Sequence, residues 1–133
     1  MQRSIAYACL LSALTFSTAS FAEVAATASG HVHHVVIIWL KDHGSAAARQ
    51  QYIDATKELA KLPMVWRYQV GTALPGGDRK VVDSSYDVAI NATFESAQAL
   101  EAYVQHEDHA KILQEKLKPL VDKAVVYDFV EGP

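Results

Sequence analysis

Cysteine is almost absent from this chain of 133 residues, and its single cysteine, Cys9, lies near the N-terminus. Beyond Cys9 there is no thiol, so that part of the chain can form no disulfide bond, use no thiol nucleophile and hold no iron–sulfur cluster through cysteine. Positive charge is also in short supply: 12 Lys and Arg face 15 Asp and Glu, a formal net charge of −3. With no basic stripe, we expect no nucleic-acid partner.

Apolar residues form a run at the N-terminus, "SIAYACLLSALTF", which follows Arg3. The run is shorter than the roughly 20 residues that a membrane-spanning helix needs. Ser20 and Ala22 supply the small residues that a signal peptidase recognises, which predicts a secretory signal over residues 1–22 with cleavage before Glu23. We therefore expect a periplasmic or secreted protein without membrane attachment after cleavage. Residues 23–31 are expected to form a flexible leader, and residues 32–130 a single domain.

Apolar periodicity in the rest of the chain predicts the element order β-α-β-β-α-β. The predicted strands are His33–Lys41, Val65–Gly71 with Trp66, Tyr68 and Val70 on one side, Tyr86–Phe94, and Lys123–Val130. The first helix is predicted to begin after Ser45 and to reach Leu62, where Pro63 stops it. The second helix is predicted to begin after Ser96, with Leu100, Tyr103 and Val104 on its apolar side. A further helical stretch, Asp108–Lys118, follows it and ends at Pro119.

This order is typical of the α+β ferredoxin-like fold, a four-stranded antiparallel sheet with both helical regions on one face. The first strand is apolar on both sides: His34, Val36, Ile38 and Leu40 alternate with Val35, Ile37 and Trp39. The helices can cover only one face of the sheet. We therefore expect a homodimer through the other sheet faces, a dimeric α/β barrel.

The stretch "YVQHEDHAKIL" concentrates Tyr103, His106 and His109. On an unbroken helix Tyr103 and His109 would point about 120° apart. They can share a pocket only if the helix breaks near His106–Asp108, where Asp108 could cap a new helix and its charge would suit the N-terminal end of the helix dipole. His106 would then be structural and His109 would face the pocket.

Three interpretations of this element remain open. In the first, a neutral His109 removes a proton from a carbon next to a carbonyl, and Tyr103 donates a hydrogen bond to the developing enolate oxygen. In the second, the same residues bind a ligand without turnover. In the third, Tyr103 fills the core and His109 makes a buried hydrogen bond.

Histidines also cluster in "HVHH", residues 31–34. On a strand His31 and His33 point to one side and His34 to the other, so they cannot converge on one ion. No zinc-type spacing is present, and we expect neither a metal nor a cofactor. His43 lies in a polar turn and is expected to be exposed to solvent.

Several stretches together resemble the stress-responsive dimeric α/β-barrel family, Dabb. They are "HHVVIIWLKD", Pro63, Gly71 and "YDVAINATFESAQALEAYVQHEDHAKILQEKLKPLVDKAVVYDF", within a resemblance that covers Val32 to Phe129. The resemblance implies two sheets packed face to face with helices outside. One plant branch is similar to polyketide cyclases, in which residues matching Tyr103 and His109 promote ring closure and one matching His34 lines the pocket. Here Val88 replaces a strand histidine of that branch, and Glu107 replaces a proline.

The resemblance and the residues together lead to two functional hypotheses. We expect a stress-related protein that binds a small apolar or aromatic organic molecule in a pocket lined by His34, Val36, Tyr52 and Ile90. The alternative is a cofactor-independent cyclase or lyase that uses Tyr103 and His109 for proton transfer.

Overall fold

The computed structural model describes residues 30–75 and 79–132. Its regular elements are β1 (Val32–Leu40), α1 (Ala46–Thr56), a 3-10 turn (Leu59–Lys61), β2 (Arg67–Thr72), β3 (Val88–Phe94), α2 (Ala97–Gln105), α3 (Glu107–Ile112), a π-helical turn (Leu113–Leu117), a second 3-10 turn (Lys118–Leu120) and β4 (Val121–Val130). Across both described ranges, no helix is long and apolar enough to cross a membrane.

The four strands form one antiparallel sheet in the order β2-β3-β1-β4. The central strand β1 pairs Val36 with Ile90 on β3 and with Val126 on β4. Because paired residues in a sheet lie on the same face, these three side chains face the same way. The predicted ferredoxin-like arrangement is thus confirmed.

The helices cover one face of this sheet, as predicted. Ile38, Leu40, Val88 and Phe94 on that face are almost completely buried, and Leu59 and Leu117 from the helical side pack into the same core. The opposite face carries Val35, Ile37 and Trp39, in register with residues of β3 and β4 such as Ala89 and Val125. The core therefore lies between the sheet and the helices.

The first helix begins as predicted but ends earlier. The Ser45 hydroxyl accepts a hydrogen bond from the Ala48 amide, which caps α1. The helix ends at Thr56 rather than Leu62, and Leu59–Lys61 form a 3-10 turn. Leu62 is extended, with ψ 136°, because the residue before a proline is disfavoured in the helical region. Leu59 and Leu62 are buried nonetheless, so the apolar periodicity predicted burial correctly but helix length incorrectly.

Two side chains lie in less buried positions than the sequence predicts. Trp66 precedes β2 and is 54% exposed, stacked on His31 with ring centroids 4.2 Å apart, while Tyr68 and Val70 pack against the core. Val104, predicted on the apolar side of its helix, is 49% exposed. It lines a cavity between the helices and the sheet.

The ends of the other predicted elements differ by a few residues. The third strand begins at Val88 rather than Tyr86, and the last begins at Val121 rather than Lys123. The helical region before Pro119 consists of α3, a π-helical turn and a 3-10 turn that contains the proline. Proline fits there because the first helical turn needs no amide donor.

The predicted secretory signal, residues 1–22, and most of the predicted leader lie outside the described residues. His31, the last residue assigned to that leader, is held in place. Its carbonyl accepts a hydrogen bond from the Glu131 amide at 2.9 Å, and its ring contacts both the Glu131 carboxylate and Trp66. The ordered domain therefore includes His31.

Candidate functional site

A cavity of about 430 Å³ lies between the helices and the covered face of the sheet. All four predicted pocket residues line it: His34, Val36, Tyr52 and Ile90. Tyr103 and His109 line it as well, together with apolar side chains from the helices and from β4. The structure thus brings together the six residues that the sequence singles out, and whether they bind a ligand stays a prediction.

The helix that carries the tyrosine and the histidines breaks at His106, as predicted. His106 has φ −65° and ψ 135°, which is extended, and it both ends α2 and begins α3. Its ring Nδ1 accepts a hydrogen bond from the Asp108 amide at 3.2 Å. The expectation that Asp108 would be the cap is wrong, because the side chain of His106 occupies that role and Asp108 lies in the first turn of α3.

This break turns His109 toward Tyr103. The ring centroids of the two residues are 4.4 Å apart, with the planes inclined by 54°. Tyr103 also contacts Phe94, at 5.0 Å between ring centroids, and meets His34 edge-on at 6.2 Å. Tyr103 is only 2% exposed. The phenol is therefore held between imidazoles that come from different elements, β1 and α3.

Asp128 orients His34. A hydrogen bond of 2.6 Å joins His34 Nδ1 to Asp128 Oδ1, which leaves Nε2 as the ring nitrogen not engaged by the carboxylate. The two residues are register partners on β1 and β4. Sequence reasoning did not assign Asp128 to the site, although an aspartate interrupting the apolar strand "KAVVYDFV" was a usable signal.

Burial shifts the pKa values of three tyrosines and one histidine that line the cavity. Burial raises the pKa of Tyr68 to about 12, and it raises the pKa values of Tyr52 and Tyr103 well above the ordinary value for tyrosine. Burial lowers the pKa of His109, a hydrogen bond with the backbone of Val104 acts in the opposite direction, and His34 adds to the lowering. At neutral pH the cavity therefore presents neutral phenols beside a neutral His109 imidazole.

These groups define the chemistry that the cavity can support. A neutral imidazole can accept a proton, and an adjacent phenol can donate a hydrogen bond to a carbonyl or enolate oxygen. Lys118 and Tyr68, which the sequence did not assign to the site, add an ammonium group and a third phenol to the lining. Alternation along the second strand predicts that Tyr68 and Val70 lie on the same side of the sheet, but it does not predict that Tyr68 lines the cavity. Nothing in the sequence indicates that Lys118 lines it.

The remaining histidines lie elsewhere. His31 and His33 both contact the Glu131 carboxylate, at 3.2 Å and 2.9 Å, on the sheet face opposite His34. The predicted divergence of the "HVHH" side chains is thus confirmed. His43 is exposed, as predicted, but its ring is bonded to Asp87. Val88, which replaces the strand histidine of the cyclase branch, is completely buried.

The fold and this cavity define a ferredoxin-like α+β domain with an apolar site between helices and sheet. The chain belongs to the Dabb family, the stress responsive A/B barrel domain, whose model matches residues 32–131. No curated protein matches the chain significantly.

Solved structures show the same fold at low sequence identity. A Dabb family protein with a ferredoxin-like fold from Mesorhizobium loti is 21% identical with a TM-score of 0.63, and the match covers 78% of this chain and 99% of that one. A dimeric ferredoxin-like protein of unknown function from Thermobifida fusca is 24% identical with a TM-score of 0.60, covering 77% and 92%. The hydroxynitrile lyase of Passiflora edulis is 21% identical with a TM-score of 0.65, covering 78% and 95%.

Proposed function

We propose that this Dabb protein binds a small, mostly apolar organic molecule in the cavity between helices and sheet. The observation that carries the proposal is the Tyr103–His109 pair, with ring centroids 4.4 Å apart, at the wall of a cavity of about 430 Å³. Cavities of this size that are lined by apolar side chains and a few polar groups are typical of small-molecule sites. The apolar lining favours an apolar or aromatic ligand body, and the phenols favour an oxygen acceptor on it.

A second candidate function is proton-transfer catalysis without a cofactor, of the cyclase or lyase type. A neutral His109 beside Tyr103 is the observation that favours it, since a general base must be unprotonated at working pH. The Asp128–His34 pair gives the cavity a second imidazole with a fixed orientation. The hydroxynitrile lyase of Passiflora edulis supports this candidate only through its shared fold. Proton transfer would need both His109 and Tyr103, the same two residues on which the binding proposal depends.

The proposal includes a homodimer through the uncovered sheet face. Val35, Ile37 and Trp39 place apolar side chains there, and an apolar sheet face needs a cover. The Thermobifida fusca relative with this fold is a dimer, which supports the same arrangement here. A stable interface would bury roughly 1,200–2,000 Å² in total.

Export is also part of the proposal. The sequence of residues 1–22 has the features of a secretory signal, namely Arg3, a short apolar run and small residues at Ser20 and Ala22. Intact-mass measurement of the protein from its native cells is expected to show a chain that begins at Glu23. A chain that retains residues 1–22 would contradict the proposed export. The ligand-binding proposal does not depend on this result.

Filling the cavity tests the binding proposal. The fluorescent naphthyl ketone Prodan is neutral and aromatic and carries one carbonyl, so it should bind saturably to the wild-type protein. Val36→Phe adds a ring to the floor of the cavity and is expected to weaken Prodan binding by at least about tenfold. Gln98→Phe adds the same ring to the exposed surface of α2 and is expected to change nothing.

Fluorescence titration measures both variants. Prodan that binds equally well to the wild type and to Val36→Phe must lie outside the cavity, and this result would contradict the proposed site. A wild-type protein that shows no saturable Prodan binding would contradict it as well.

A further inference from the structure

A second cavity, of about 340 Å³, lies where β1 ends and β3 begins. It differs in character from the first, because polar side chains supply much of its lining: His43, Arg49, Thr72, Ser84, Tyr86 and Asp87. Among the described residues, none lines both cavities. The proposed ligand site does not account for this second group.

Asp87 organises one wall of the second cavity. Its carboxylate is only 1% exposed and accepts hydrogen bonds from the Leu40 amide at 2.8 Å and the Gly44 amide at 2.9 Å. Gly44 has φ +79°, a conformation that favours glycine, which lets the chain turn around the carboxylate. Burial alone raises the pKa of Asp87, but the bonds from Leu40, Gly44 and His43 outweigh it and hold the pKa below its ordinary value.

His43 is oriented by this carboxylate. A contact of 2.8 Å joins its Nδ1 to Asp87 Oδ2. The ionised carboxylate can only accept, so Nδ1 carries the hydrogen and donates it. The side chain is 62% exposed, and Nε2 is the ring nitrogen that Asp87 does not engage. The imidazole is thus held by Asp87 through Nδ1, while Nε2 is not engaged by that carboxylate and the ring lines the second cavity.

Arg49 supplies a cation to the lining of the second cavity. Its side chain is 28% exposed, and its Nη1 lies 3.6 Å from Asp87 Oδ1, an ion pair too long for a hydrogen bond. Within the described ranges its guanidinium makes no hydrogen bond to another side chain or to the backbone, although it carries five N–H donors in a planar fork. That fork matches the paired oxygens of a carboxylate or a phosphate.

We propose that this cavity is a second ligand site, which binds a small oxyanion, a carboxylate or a phosphate monoester, through Arg49 and His43. Asp87 orients His43 through a hydrogen bond, and its carboxylate also accepts hydrogen bonds from the Leu40 and Gly44 amides. Arg49 lies 3.6 Å from the same carboxylate without a hydrogen bond to it. The cavity lies beside the first turn of α1, where the helix dipole favours negative charge. Hydroxyl groups on Thr72, Ser84 and Tyr86 provide further donors around the anion.

The test is a titration of the protein with inorganic phosphate and, separately, with acetate, at constant ionic strength set by sodium chloride. The side-chain NMR signals of Arg49 and His43 are followed. Saturable shifts of both signals, with a dissociation constant at or below about 1 mM, are expected for at least one anion. Saturation by phosphate alone would assign the site to phosphate monoesters, and saturation by acetate alone to carboxylates.

Three variants distinguish binding at the second cavity from nonspecific attraction of anions to positive charge. Arg49→Gln is expected to weaken binding by at least about tenfold, and His43→Gln, at a more exposed side chain, to weaken it as well. Lys57→Gln removes one exposed positive charge just beyond the other end of α1 and is expected to leave binding unchanged. Shifts that rise linearly without saturation in the wild type, or equal losses in Arg49→Gln and Lys57→Gln, would overturn the proposal.

Discussion

Replacing Tyr103 by phenylalanine or His109 by glutamine is expected to weaken Prodan binding by at least about tenfold in a protein that remains folded. Tyr103→Phe removes only the hydroxyl, which in the proposed complex donates a hydrogen bond to the ketone oxygen. His109→Gln keeps a polar side chain of similar reach but removes the imidazole that packs 4.4 Å from the tyrosine ring. Each change should lower the free energy of unfolding by no more than about 1–2 kcal/mol.

His106→Gln is the matched comparison for that pair. His106 caps α3 through its ring and lines a separate surface groove rather than the ligand cavity. Its replacement should lower the free energy of unfolding by about 1 kcal/mol, the usual cost of a lost cap, and leave Prodan affinity unchanged. Fluorescence titration and urea denaturation of the three variants measure both quantities. If His106→Gln abolishes Prodan binding and His109→Gln leaves it unchanged, the roles of the two histidines are the reverse of those proposed.

Replacing Ile37 by glutamate is expected to convert the proposed dimer into monomers or aggregates. Ile37 lies on the sheet face away from the helices, in register with Ala89 on β3 and Val125 on β4. In a face-to-face dimer the new carboxylate would be buried without a partner, which costs several kcal/mol. Light scattering after size-exclusion chromatography measures the mass.

Gln98→Glu serves as the control, since it adds the same charge on the exposed side of α2 and should leave the mass unchanged. An Ile37→Glu protein that stays a well-folded dimer would show that this sheet face is not the interface.

The fold was predictable because its signals are local and repeated. The continuous apolar run of β1 and the serines that cap α1 and α2 lie within or directly beside the elements that they predict. Helix ends were less predictable: α1 stops at Thr56 although apolar spacing continues to Leu62, because a 3-10 turn can bury the same leucines. Periodicity indicates which residues are buried, and it does not indicate which kind of turn buries them.

The candidate site was predictable where its residues are close in sequence. A simple angular argument required a break near His106, and the structure has that break. Asp128 and Asp87 were missed because each acts through a partner far along the chain, His34 and His43 respectively. Their contacts depend on strand register and on the turn after β1, neither of which a single sequence specifies to within one residue.

Native mass spectrometry of the protein purified from cells that naturally express it shows whether the cavity between helices and sheet holds a ligand. We expect the wild-type protein to retain a noncovalently bound organic molecule that is released on gentle activation. The Val36→Phe protein, whose cavity is filled, should be recovered without that molecule. The same adduct on both proteins, or bare protein in both preparations, would mean that this cavity is not a ligand site.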